Sequence, residues 1–192
     1  MYEIKDVSAR VIFNSRGDPT IECALKTSFG KFTASVPYGA SVGSKEAKYL
    51  YDGEKEFGGN GVKKAVANIN EILSVVVKGM DCREQSKIDE ALIAEDGTKN
   101  KEKLGANAIL AVSMAACRAG ATACKSELES KDDCNRKDLF EHISELSNKK
   151  PLLPVPALNI INGGKHAGNE LAFQEYQIIP HGFDTFKESF YA

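Results

Sequence analysis

The 192-residue sequence holds 3 histidines, and one of them, His166, sits in the glycine-rich run NGGKHAGNE at 162–170. Imidazole changes charge near neutral pH, so it can donate to or charge-pair with an anion. Gly163, Gly164 and Gly168 let the main chain bend tightly or approach a ligand. A solvated histidine in a surface turn has the same local sequence. A second stretch, VPYGASVGSKEA, puts Ser41 between glycines, where its hydroxyl could ligate a hard cation or cap the next helix. A third, LAFQEYQIIP, places Gln174 and Glu175 in an otherwise apolar run; a carboxylate there faces solvent or is buried with a partner. NSRGDPT reads as a turn whose Arg16 could pair with a carboxylate across an interface. None of these stretches has the spacing of a nucleotide phosphate loop.

The elements needed to position these residues follow from periodicity. YEIKDVSARVIF, TIECALKT and KFTASVP, separated by NSRGDP and SFGK, predict a three-stranded antiparallel meander. Val62, Val66, Ile69, Leu73 and Val76 predict one face of a helix, and Ile88 and Leu92 a second helix over Arg83 to Glu95. LGANAILAVSMAACRAGATAC is too long and continuous for a strand and predicts a buried helix whose alanines permit close packing. The charged stretch KSELESKDDCNRKD predicts an exposed connector or a helix extension, with local mobility expected there, and LFEHISEL a short helix. KKPLLPVPALNIIN, with three prolines, predicts an extended linker becoming a strand. LAFQEYQIIP then reads as another strand, and DTFKESFYA as the start of a helix capped by Asp184. The fold class is therefore α+β, with a boundary near Lys150: 1–150 as a first domain and 151–192 as the incomplete start of a second.

Net charge is −2 and 42% of residues are apolar, so no strong field marks a nucleic-acid or membrane partner. No run approaches the roughly 18 apolar residues of a membrane span, and no leader is visible. Cys23, Cys82, Cys117, Cys124 and Cys134 are odd in number and lack metal-site spacing, as expected of reduced cytoplasmic thiols.

In order, ARVIFNSRGDPT, VPYGASVG, GGNGVKKAV, DGTKNKEKLGANAIL, LPVPALNIINGGKHAGN and FQEYQIIP resemble the enolases, the glycolytic phosphopyruvate hydratases. The resemblance runs from about Ile4 to the last residue. It implies a small N-terminal domain of meander and helices followed by the start of a modified β/α barrel. It implies that the loop with Gly39, Ala40 and Ser41 is an active-site lid, with Ser41 a ligand of a substrate-dependent Mg2+. By the same resemblance His166 lies near the substrate phosphate, while Gln174 and Glu175 meet the substrate and order the catalytic water. Substrate and product would be 2-phosphoglycerate and phosphoenolpyruvate, and the complete protein a cytoplasmic homodimer with Arg10 or Arg16 in inter-subunit ion pairs. Asn14, Asp18, Tyr38 and Val42 depart from the usual Asp, Asn, Ser and Thr, and the connector around Cys134 is longer than usual.

Removing a proton next to a carboxylate needs a base and metal ions that stabilise the dianionic intermediate, the solution the enolase superfamily uses. The lysine base, the acid and the metal carboxylates that the resemblance implies are expected beyond Ala192. A full barrel takes roughly 250 residues. The chain is thus expected to hold part of the active site and to be inactive alone. The alternative is a naturally short, noncatalytic module that binds or dimerises, and reading the gene past Ala192 separates the two.

Overall fold

Asn14 builds the turn that starts the sheet. Its Oδ1 accepts the amides of Arg16 and Asp18 at 2.8 and 3.0 Å, and Gly17 adopts φ 82°. This Asn-centred turn reverses the chain between β1 (Asp6–Phe13) and β2 (Pro19–Lys26). In the computed structural model, residues 2–39, 43–123, 138–164 and 167–192 are described. The chain divides into two units, Met1–Lys149 and Lys150–Ala192.

In the first unit β3 (Lys31–Ser35) completes an antiparallel sheet of order β1-β2-β3, as the alternation predicts. On the central strand Ile21, Cys23 and Leu25 are fully buried, the period-2 signature of a strand with one face on a core. Burying each large side chain contributes about 1.5–3 kcal/mol. The face is covered by α4 (Ala106–Thr122), whose Ala108, Ala111, Ala115, Ala116 and Ala119 are all buried. Small side chains let this helix lie close to the strands.

The helix expected from Asn60 onward forms as α1 (Lys63–Asn68), a π turn (Ile69–Leu73) and α2 (Ser74–Val77). Its buried stripe is Val62, Ala65, Ile69, Leu73 and Val77. Val66 and Val76, which the sequence placed on that stripe, are partly buried against the same core, beside the fully buried Ala65 and Val77. The wider i→i+5 turn resets the phase, so steps of four persist and Val77 takes the buried position. Asn70, in the π turn, accepts the Ala9 amide at 2.7 Å and donates to the Ala9 carbonyl at 3.2 Å, and so ties the helix to the edge strand.

Helix α3 (Gln85–Asp96) buries Ile88 and Leu92. It ends at Gly97, left-handed at φ 67°, whose amide bonds the Ile93 carbonyl at 3.0 Å, a glycine C-cap. α5 (Leu139–Ser147) packs on α4 where Gly120 leaves room: a Cβ there would sit 2.9 Å from His142 Nε2. The predicted connector falls almost wholly at 124–137, outside the described residues.

The second unit is an antiparallel pair, β4 (Leu158–Asn162) and β5 (Glu175–Ile178), with an irregularity between Asn159 and Ile161. A last helix, α6 (Phe186–Tyr191), follows. Its cap is Thr185 rather than Asp184: the Thr185 hydroxyl accepts the Glu188 amide at 3.2 Å and the Glu188 carboxylate accepts the Thr185 amide at 3.1 Å. This reciprocal capping box needs Glu three residues after the cap, a spacing Thr185 has and Asp184 lacks. Ile160, Ile161, Tyr176 and Ile178 remain exposed, because two strands are too few to enclose a core. Among the described residues no helix is long and apolar enough to cross a membrane.

Candidate functional site

The loop containing Gly39 is anchored at both ends. On its N-terminal side Val36 donates to the Ile21 carbonyl at 2.9 Å, and the Thr20 hydroxyl donates to the Val36 carbonyl at 2.9 Å. The Tyr49 hydroxyl donates to the Pro37 carbonyl at 3.2 Å. On its C-terminal side the Lys48 amide donates to the Asn100 carbonyl at 3.0 Å, and the Ala106 amide to the Lys48 carbonyl at 2.9 Å. Asn107 then accepts the Leu50 amide at 3.0 Å and donates to the Leu50 carbonyl at 3.1 Å.

The Leu-Gly-Ala-Asn run explains that clamp. Gly105 has φ 95°, and a Cβ there would lie 2.5 Å from Asn107 Oδ1 and 2.6 Å from Leu50 Cβ. Glycine is thus required both by backbone conformation and by the close approach of the stem. Two residues on, Asp52 accepts the amides of Lys63 and Lys64 at 3.0 and 2.9 Å, satisfying free donors at the start of α1. The expectation that Ser41 caps a helix falls outside the described residues. Neither Asn107 nor Asp52 was singled out from sequence, although an amide in an alanine-rich helix and an Asp-Gly pair were the available signals.

Gly39 is exposed at the rim of a cleft of about 240 Å³. Its walls include Tyr38, Tyr49 and Tyr51. Burial, and then the Glu46 carboxylate, push the Tyr49 hydroxyl above its ordinary range. Burial, then Tyr38, Tyr49 and Asp18, do the same to Tyr51. Ala40 and Ser41 lie outside the described residues, as does Val42.

In the second unit the glycine-rich loop is drawn onto the start of β5. Gly163 donates to the Gln174 carbonyl at 2.9 Å and Gly164 to the Leu171 carbonyl at 2.8 Å. A Cβ on Gly163 would meet the Phe173 carbonyl oxygen at 2.4 Å, and one on Gly164 would sit 3.5 Å from the Gln174 Cα. Asn169 closes the loop by donating to the Asn162 carbonyl at 2.9 Å. Asn162 is opposite Glu175 in the strand register. Glu175 is exposed, and its carboxylate accepts the side-chain amide Nε2 of Gln177 at 2.9 Å. Gln174 and Glu175 therefore stand beside the base of the loop that carries position 166. His166 itself is outside the described residues.

A hard divalent cation takes about six oxygen ligands. The resemblance offers Ser41 alone from this chain, and among the described residues no group of three or more His, Cys, Asp or Glu side chains could hold a metal. The described residues do not by themselves make a magnesium site. Of the two arginines considered for an interface, Arg10 is engaged within its own sheet, its guanidinium 2.7 Å from Glu22, its cross-strand neighbour.

The family model for the enolase N-terminal domain matches residues 4–130. The chain belongs to the enolase family. The enolase C-terminal TIM barrel domain matches residues 150–192. The chain is 48% identical over 197 residues to an enolase of Solanum lycopersicum, covering 98% of this chain and 42% of that protein. It is 47% identical over 199 residues to an enolase of Eimeria tenella, with the same two shares. The chain thus spans less than half the length of these curated enolases. Its architecture is that of the enolase N-terminal domain followed by the start of the barrel domain.

Proposed function

We propose that this chain supplies the lid and the histidine loop of an enolase that reversibly dehydrates 2-phosphoglycerate to phosphoenolpyruvate. The observation that carries the reading is the 48% identity to an enolase across 98% of the chain, a span that includes both loops. The fixed stems at Val36–Pro37 and Lys48–Leu50 support it, since a loop that closes over substrate needs a rigid frame.

In this reading Gly39, Ala40 and Ser41 close over the bound substrate and exclude water, which strengthens every charge interaction inside. The His166 imidazole holds the phosphate. Gln174 and Glu175 meet the substrate and hold the water lost or gained at the hydroxyl-bearing carbon. A bound Mg2+ would stabilise the negative charge of the intermediate, with Ser41 as its one ligand from this chain. We assign the complete protein to the cytoplasm as a homodimer, with no nucleic-acid partner and no membrane span.

Steady-state assays of the complete protein test the reading. Turnover of 2-phosphoglycerate is expected, and His166→Ala should lower kcat/KM by about 100-fold or more. Absence of turnover, or a His166→Ala variant with unchanged kinetics, overturns it.

A further inference from the structure

The cleft beside Gly39 has a composition that neither a lid nor a phosphate site requires. Tyr38, Tyr49 and Tyr51 are all half-buried and line about 240 Å³ of space together with Glu46 and Lys48. The Tyr49 and Tyr51 rings are 6.3 Å apart between centroids and inclined at 48°. They therefore form a corner rather than a stack. Among the described lining residues the one cation, Lys48, is directed to Glu102, its ammonium 3.0 Å from that carboxylate. Glu46 keeps its carboxylate at the wall, where Oε1 accepts the Gly43 amide at 2.9 Å.

Aromatic faces present the negative side of their quadrupole, so rings meeting at a corner attract a cation whose charge is spread over methyl groups. A carboxylate at the wall adds net charge of the right sign. The volume is below the 300–1,000 Å³ of drug-sized pockets, which suits a compact headgroup. Anions are disfavoured by the same features: the ring faces, Glu46, and a lysine already paired.

We propose that the cleft formed by Tyr38, Tyr49, Tyr51 and Glu46 is a binding site for a small alkylated ammonium cation. The inference uses residues of the first unit alone and does not rest on the enolase reading.

The chain has 6 tyrosines and no tryptophan, so its tyrosine-ring NMR signals report the site directly. Choline is titrated at constant ionic strength, with dimethylbutanol, its uncharged isostere, in parallel. Saturable shifts at Tyr38, Tyr49 and Tyr51 are expected with choline, with dimethylbutanol bound at least about tenfold more weakly. Tyr51→Leu should weaken choline binding by about tenfold or more, Tyr51→Phe should retain it because the ring face remains, and Glu46→Gln should weaken it several-fold. Equal binding of the two probes, no saturable shift with choline, or a Tyr51→Leu variant that binds as well as the parent with its remaining spectrum intact, overturns the proposal.

Discussion

Asn107 holds both backbone groups of Leu50, accepting its amide at 3.0 Å and donating to its carbonyl at 3.1 Å. One side-chain amide thereby acts as a strand neighbour for the segment that leaves the Gly39 loop. Asn70 does the same for Ala9 on β1. Both amides join a helix to an irregular or edge segment that no ladder completes.

Replacing Asn107 by Ala leaves the half-buried Leu50 groups without these partners, and an unmade buried hydrogen bond costs about 1–3 kcal/mol. Asn107→Asp keeps the acceptor and loses the donor, so its loss should be smaller than that of Asn107→Ala at low pH, where the new carboxyl is protonated and can donate. Urea unfolding of both variants measures the two losses.

Gly163→Ala should disturb the histidine loop, because the added Cβ meets the Phe173 carbonyl oxygen at 2.4 Å. Overpacking of this kind costs about 1–3 kcal/mol. Hydrogen exchange at Gly163 and Gly164, whose amides bond Gln174 and Leu171, should accelerate in the variant while α4 is unaffected.

Much of the architecture was legible because its signals are periodic. The alternation of Ile21, Cys23 and Leu25 and the long alanine-rich run of α4 each admit one reading. The phase slip from Val76 to Val77 was not legible, since the apolar residues around the π turn satisfy either register and the wider turn decides. Thr185 replaced Asp184 as a cap for a reason that was present in the sequence, the Glu at position 188. The candidate site was proposed from motif order; single glycines and one histidine are ambiguous without it. The clamps made by Asn107 and Asp52 stayed hidden because their partners, Leu50 and the start of α1, are distant or backbone groups.

Asp96 predicts a pH dependence. Burial, the largest influence on it, raises its pKa, but hydrogen bonds from the Thr98 hydroxyl and the Leu104 and Thr98 amides, with Lys103 nearby, together bring it below the usual carboxylate range. A depressed folded pKa stabilises the fold above the unfolded value and is lost as pH falls through the folded one. The stability gap between the parent and Asp96→Asn should therefore be widest near neutrality and narrow on acidification below about pH 4. Urea midpoints across that range measure it.

Cys23 and Cys82 are fully buried; burial pushes their thiols up to about 12 and about 11, with Asp81 adding to the effect at Cys82. Thiolate is the reactive form. Both should resist alkylation in the native protein and label on unfolding in urea, as read by peptide mass spectrometry.

The central proposal is that this chain contributes the lid and histidine loop of an enolase site and does not complete that site by itself. The most direct measurement follows enol product from 2-phosphoglycerate with magnesium present, comparing the purified chain with the complete protein at equal concentration. The account predicts background rates for the chain and sustained turnover for the complete protein. Substantial turnover by the chain, or none by the complete protein, would contradict it.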